Sequence, residues 1–169
     1  MEARNGRPTC FLNLDGVLHP VGVEYNFRRE APPPVLPFVW AEALRPLAEK
    51  WNLSFVLRTS ATMLRRGELL PELAPPWLWS RVDGKCDDKY RYITLDWVRK
   101  VNTSHGVIQR YVAKHGLSNW VALDDEDDGW PDEPVARLRL VLCNPNQGVR
   151  EAEVLERLDE TLKVVRDEV

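Results

Sequence analysis

Three short apolar runs in this chain each end in polar residues, and this constrains the fold more than any other feature. Thr9 to Leu14 runs into Asp15-Gly16, Leu53 to Leu57 into Arg58-Thr59-Ser60, and Trp120 to Leu123 into Asp124-Asp125. A short apolar run closed by turn residues reads as a buried strand. Helical spacing fills the intervals. Ala41, Leu44, Leu47 and Trp51 predict a helix over about 39–50, with Asn52 as its stop. Val107, Ile108, Tyr111 and Val112 form the apolar face of a helix that Gly116 ends, and Leu155, Leu158, Leu162 and Val165 the stripe of a C-terminal helix.

Alternating strands and helices predict an α/β chain with a mostly parallel sheet. The expected form is a three-layer Rossmann-like sandwich of about five strands, with 1–169 as a single domain. In such sheets a ligand sits beyond the carboxyl ends of the strands. Asn13 to Asp15, Thr59 to Ser60 and Asp124 to Asp125 should therefore meet there.

Other segments are less regular. Pro20 to Pro37, with Pro32-Pro33-Pro34 in its middle, reads as an extended loop. A polar, partly helical stretch runs from Thr59 to about Leu73 and breaks at Pro75-Pro76. Leu78 to Val82 is a candidate third strand, and Ile93 to Val101 is either helical or irregular. Arg137 to Cys143 alternates charged and apolar residues, as a strand near a sheet edge does. The segment between Asp15 and Thr59 already holds a helix and a Pro-rich loop, so no large cap domain fits there. A site without a large lid is open to bulky substrates.

Composition excludes several classes. With 44% hydrophobic and 29% charged residues the chain can bury a real core, so global disorder is not expected. A net charge of −3 gives no general affinity for nucleic acid or anionic membrane. No apolar run approaches the roughly 20 residues of a membrane helix, and Met1 to Thr9 lacks an apolar leader core. The three cysteines, Cys10, Cys86 and Cys143, form no CxxC pair, which argues against structural zinc or disulfides and for a cytoplasmic location.

The first polar cluster lies in Phe11-Leu12-Asn13-Leu14-Asp15-Gly16-Val17-Leu18-His19-Pro20. Read bare, Asn13 and Asp15 could simply cap a turn. The segment also resembles the opening motif of the haloacid-dehalogenase-like (HAD-like) phosphohydrolases, in which two aspartates flank one residue after a buried strand. With Gly-Val-Leu-His-Pro following, it is similar to the small HAD-like domains of bacterial RNA-repair proteins and their stand-alone relatives. The resemblance implies that position 13 is the nucleophile position and that Asp15 is the general acid/base. A carboxylate that takes a phosphoryl group and releases it to water is the aspartyl-phosphate route.

The resemblance extends to the other two clusters. It implies that Thr59, with Ser60 second, binds a phosphoryl oxygen, and Arg58 offers a charge-assisted contact to the same group. A Thr-Ser pair is also a common helix N-cap, and these relatives usually carry a Ser-rich stretch with Trp-Arg instead. Trp120-Val121-Ala122-Leu123-Asp124-Asp125 resembles the family's metal motif, and hard oxygen ligands suit Mg²⁺. The implied metal set is residue 13, Asp15, Asp124 and Asp125, with Asp128 as an orienting carboxylate. Glu126 and Asp127 read as a solvated loop. The basic residue the family places near the phosphate is best matched by Lys100, with Lys89 and His105 as rivals. His19 reads as a turn histidine near the cleft. Trp77 and Trp79 read as core or as a surface for base stacking.

Asn13 departs from this pattern. An amide oxygen carries no formal charge, so it is a poor nucleophile and a weaker Mg²⁺ ligand than a carboxylate. Two accounts stand side by side. One is an Asp→Asn replacement in an otherwise active Mg²⁺-dependent phosphatase. The other is a natural pseudoenzyme that binds a phosphorylated ligand, nucleotide or protein without turnover. Expected partners are a phosphorylated small molecule, a nucleotide or a nucleic-acid end, and no membrane.

Overall fold

The structure, a computed structural model, describes residues 7–23, 36–58, 70–86 and 103–167. Its centre is β1, Thr9–Leu12, in which every residue is buried. Two further strands flank it, β2 at Ser54–Leu57 and β4 at Trp120–Asp124, and both run parallel to it. Leu12 lies opposite Leu57 on one side and Leu123 on the other. β3 at Val82–Lys85 continues the sheet beyond β2, and β5 at Leu140–Leu142 continues it beyond β4. The order is β3-β2-β1-β4-β5, all parallel, as the alternation of strands and helices predicts.

Side chains alternate across a strand, and β1 shows why the fold has three layers. Cys10 and Leu12 enter one apolar cluster with Leu44, Ala48, Leu158 and Leu162. Phe11 enters a second, with Val107 and Ile108. Helix α1, Arg45–Lys50, and the C-terminal helix, Ala152–Asp167, therefore cover one face of the sheet. The helix Ser104–His115 covers the other. There Phe11 meets Tyr111 and Trp120 edge-on, each at 5.6 Å between ring centroids.

The helix boundaries follow from local chemistry. The Thr103 hydroxyl accepts from the Gly106 N–H and caps one end of the helix Ser104–His115, and left-handed Gly116 closes the other. Asn52 takes a left-handed φ of 48° just after α1, in keeping with its expected role as a stop. The C-terminal helix buries Val154, Leu158, Leu162 and Val165. Leu155, expected in that stripe, is only half-buried. Among the described residues, no helix is long and apolar enough to cross a membrane.

Two expectations are corrected. Leu78 is not in a strand. It belongs to the short helix Pro76–Trp79, because a proline suits the first helical position, and the strand comes later at Val82–Lys85. That strand is at the sheet edge, alternates half-buried with exposed residues and contains Gly84, so its apolar signal is weak. The strand expected over Arg137 to Cys143 shrinks to Leu140–Leu142 at the other edge. Arg137 instead ends the short helix Pro134–Arg137. Its guanidinium is held by Asp127 at 2.7 Å and the Pro131 carbonyl at 2.9 Å. Ile93 to Val101, and most of the stretch from Thr59 to Leu73, lie outside the described residues.

One glycine locks the C-terminal region against the first loop. Gly148 has φ +54°, and a Cβ there would lie 2.2 Å from the Val17 carbonyl oxygen and 2.6 Å from the Trp40 ring. The neighbouring Val149 N–H donates to that same carbonyl at 3.0 Å. Gly148→Ala should therefore cost more than the roughly 1–3 kcal/mol of a left-handed non-glycine residue. Gly22→Ala, with φ +84° but open space around it, should cost only that backbone term. Urea denaturation of both variants measures the difference.

Candidate active site

The register of the three central strands brings their polar ends together. The Asn13 N–H donates to the Leu123 carbonyl at 3.0 Å, and the Arg58 N–H to the Leu12 carbonyl at 2.9 Å. Asn13, Arg58 and Asp124 are thus neighbours across the carboxyl edge of the sheet. Gly16 then turns the chain sharply. Its φ is +71°, and a Cβ on it would lie 2.5 Å from an Asp125 carboxylate oxygen, so only glycine lets Asp125 approach the motif loop.

Asn13 is the centre of the arrangement. It is 8% exposed. Its Oδ1 accepts from the Leu14 N–H at 2.9 Å. Its Nδ2 faces three acceptors: Asp125 Oδ1 at 2.7 Å, Asp124 Oδ1 at 3.0 Å and the Asp15 carbonyl at 3.1 Å. The surroundings settle which end of the amide is which, because the opposite orientation would set an N–H against an N–H and an oxygen against three oxygens. Two N–H groups serve three acceptors.

Asp124 is 2% exposed and fully engaged. Its Oδ1 also accepts from the Asp125 N–H at 2.9 Å and from the Glu126 N–H at 3.4 Å. Its Oδ2 pairs with Arg58 Nη2 at 2.5 Å. Burial pushes the Asp124 carboxyl up to about 6, while the Arg58 guanidinium pulls it down and the Asp125 charge adds to the rise. Arg58 is also 2% exposed. Its Nε and Nη1 find no hydrogen-bond partner among the described residues. The arginine expected to meet a phosphate therefore sits, as placed here, against Asp124.

Asp15 is the more open carboxylate, 30% exposed in its side chain. Its Oδ1 lies 3.2 Å from Nε2 of fully buried His19. His19, which by sequence reads as a turn residue, is therefore a direct partner of the acid/base candidate. The spacing of four residues was the available signal.

Other expected residues fall elsewhere. The Asp128 carboxylate accepts from the Ser104 N–H at 3.3 Å, at the start of the helix Ser104–His115. Asp127 is exposed and paired with Arg137. His105 packs on Trp130 with ring centroids 4.6 Å apart, and burial lowers its pKa. It lines an open groove of about 440 Å³ with Gln109, Trp120, Glu133, Ala136 and Arg139, which includes none of the carboxylates above. Trp77 and Trp79 pack against the main apolar cluster, and the Trp77 indole N–H donates to Glu42 at 2.7 Å. Thr59, Ser60, Lys89 and Lys100 lie outside the described residues.

The donor set suits a hard divalent cation in kind: two carboxylates and a backbone carbonyl around one point. Among the described residues, no three His, Cys, Asp or Glu side chains cluster as metal ligands. The Asp15 carbonyl is thus needed as the third oxygen. The Asn13 NH₂ offers hydrogens where a further oxygen donor would serve.

A parallel three-layer α/β sheet with paired carboxylates at its carboxyl edge defines a HAD-like, Rossmann-like domain. The chain belongs to the family described as the HAD domain in Swiss Army Knife RNA repair proteins, which matches residues 9–154. No curated protein matches the chain, and no solved structure does.

The buried ion pair yields a stability test. Removing one member of such a pair leaves an uncompensated charge and costs roughly 3–5 kcal/mol. Arg58→Ala should fall in that range in denaturant melts. The double variant Arg58→Met/Asp124→Asn should recover at least half of the loss, since it buries no lone charge and its amide oxygen can still accept from the Asn13 amide and the two backbone N–H groups.

Proposed function

We propose that this chain is a HAD-like phosphomonoester hydrolase scaffold, built for Mg²⁺ and an aspartyl-phosphate route and crippled by Asn13. The observation that carries the reading is the convergence of the Asp15 carbonyl, Asp124 and Asp125 on the side chain of residue 13. In the complete site a carboxylate at position 13 attacks phosphorus. The bond from phosphorus to the leaving oxygen breaks, and Asp15 gives that oxygen its proton. Asp15 then takes a proton from the water that attacks the acyl phosphate, which frees inorganic phosphate. Asp124, Asp125 and the Asp15 carbonyl would hold Mg²⁺, which supplies positive charge against the phosphoryl oxygens. Thr59, Ser60 and Lys100 are the proposed phosphate contacts. Arg58 balances Asp124, and a contact to phosphate would require its buried Nε and Nη1 to be uncovered. The family description names RNA repair proteins, so a nucleic-acid end or a nucleotide is the favoured substrate class, ahead of a phosphorylated small molecule.

A second reading is favoured by the same amide. Asn13 is held by four hydrogen bonds, and its amide donates to both Asp124 and Asp125. That suits a natural pseudoenzyme that binds a phosphorylated ligand or a protein without turnover.

Restoring the carboxylate separates the two. Asn13→Asp should raise Mg²⁺-dependent turnover of an aryl phosphate by at least about a hundredfold, the scale of one catalytic group. Chelation, and the double variant Asn13→Asp/Asp15→Ala, should abolish the gain. No metal-dependent turnover in Asn13→Asp would favour the binding module, and activity that survives loss of Asp15 would betray a contaminant. In calorimetry, Asp124→Ala should remove Mg²⁺ binding from the Asn13→Asp protein.

A further inference from the structure

We infer that His19 is a positioning residue for Asp15, held in one tautomer by the backbone of Phe38 so that its Nε2–H anchors one oxygen of the Asp15 carboxylate. The inference rests on the reading of Asp15 as the general acid/base and adds a residue to it.

The tautomer follows from hydrogen-bond logic. The Phe38 N–H donates to His19 Nδ1 at 3.1 Å. A backbone N–H can only donate, so Nδ1 must present its lone pair, and in a neutral imidazole the proton then sits on Nε2. That nitrogen lies 3.2 Å from Asp15 Oδ1. The histidine is therefore the donor and Asp15 the acceptor. With Nδ1 occupied, the ring has no free basic nitrogen, which separates it from a general base.

The surroundings hold this arrangement at a cost. Phe38 has φ +61°, a left-handed conformation that a bulky residue rarely adopts and that costs roughly 1–3 kcal/mol. That conformation accompanies the N–H aimed at the imidazole. The Phe38 ring also packs edge-on to the imidazole, 5.6 Å between centroids. The Trp40 N–H donates to the Leu18 carbonyl at 2.9 Å, and the Gly16 N–H to the His19 carbonyl at 2.8 Å. The loop before α1 is thus sewn to the loop carrying Asp15. His19 has no exposed surface, while Asp15 stays open to solvent. One carboxylate oxygen is anchored, and the other remains for proton transfer.

Two measurements test this. In the Asn13→Asp protein with Mg²⁺, His19→Phe keeps the ring and removes both nitrogens. It should lower kcat for an aryl phosphate by about tenfold to a hundredfold, the scale of a misplaced catalytic group, and change KM less than threefold. His19→Gln carries an amide N–H at a comparable reach and should recover most of kcat. If both variants lose stability but keep kcat per folded molecule, His19 only fills space and the inference is overturned. The second measurement needs no turnover, so it also decides the matter if Asn13→Asp proves inactive. Nitrogen-15 NMR of the unaltered chain should show His19 with a bare Nδ1 and a protonated Nε2. Asp15→Ala should shift that Nε2 proton without moving the proton to Nδ1. A proton on Nδ1, or an Nε2 proton unmoved by Asp15→Ala, overturns it.

Discussion

A guanidinium and a carboxylate meet across the central strand of the sheet, and the geometry of the site depends on that contact. Arg58 follows β2 and Asp124 ends β4, while β1 runs between them and delivers Asn13 at the same level. Neither charge could stand alone there, since both side chains are 2% exposed and an isolated buried ion is costly. Paired, they tie the two halves of the sheet together at its chemical end. The pairing also fixes the Asp124 carboxylate, whose other oxygen then meets the Asn13 amide and two backbone N–H groups.

Around this contact the loops are held by close approaches that few residues allow. Gly16 leaves room for Asp125, and Gly148 leaves room for the Val17 carbonyl and the Trp40 ring. Phe38 accepts a left-handed backbone and supplies the N–H that His19 needs. Strain of this kind persists where surrounding structure over-determines it, and it gathers near functional groups. Here Phe38 bonds to His19 of the motif loop, and Gly16 and Gly148 lie in or against that loop. The first loop, the turn before α1 and the segment before the C-terminal helix therefore form one unit around Asp15.

Within that unit Asn13 has an electrostatic role that an aspartate could not fill without a cation. Two carboxylates, Asp124 and Asp125, and the Asp15 backbone carbonyl lie around it, and Arg58 is the cation paired with Asp124. A third carboxylate would add repulsion where the amide adds two N–H donors. The same side chain that, in the proposed reading, takes the place of the nucleophile thus bonds to oxygens of Asp15, Asp124 and Asp125. A change of one atom from oxygen to nitrogen alters both the chemistry and the cohesion of the site.

Much of this was legible in the sequence, and the reason is local. Thr9–Leu12, Ser54–Leu57 and Trp120–Asp124 announce themselves because buried strands are apolar along their whole length and end abruptly in polar residues. Their parallel order followed from the helices between them. The edge strands showed less sharply: the alternation over Arg137 to Cys143 marked Leu140–Leu142 with bounds too wide, and Val82–Lys85, half-exposed and with a weak apolar pattern, was expected too early, at Leu78 to Val82. The ends of the strand-like runs, with the resemblance to the HAD-like motifs, pointed to Asn13, Asp15, Asp124 and Asp125 as candidates, along with Thr59 and Lys100. Residue types could not say that Arg58 would face Asp124, that Asp128 would meet the start of a helix, or that His19 would hold Asp15. Those partners are chosen by strand order, register and loop strain, which bring together groups as distant in sequence as positions 58 and 124. Local sequence determined where the strands begin and which chemistry they carry, and tertiary structure decided which charges neutralise one another, because that depends on distances no local pattern encodes.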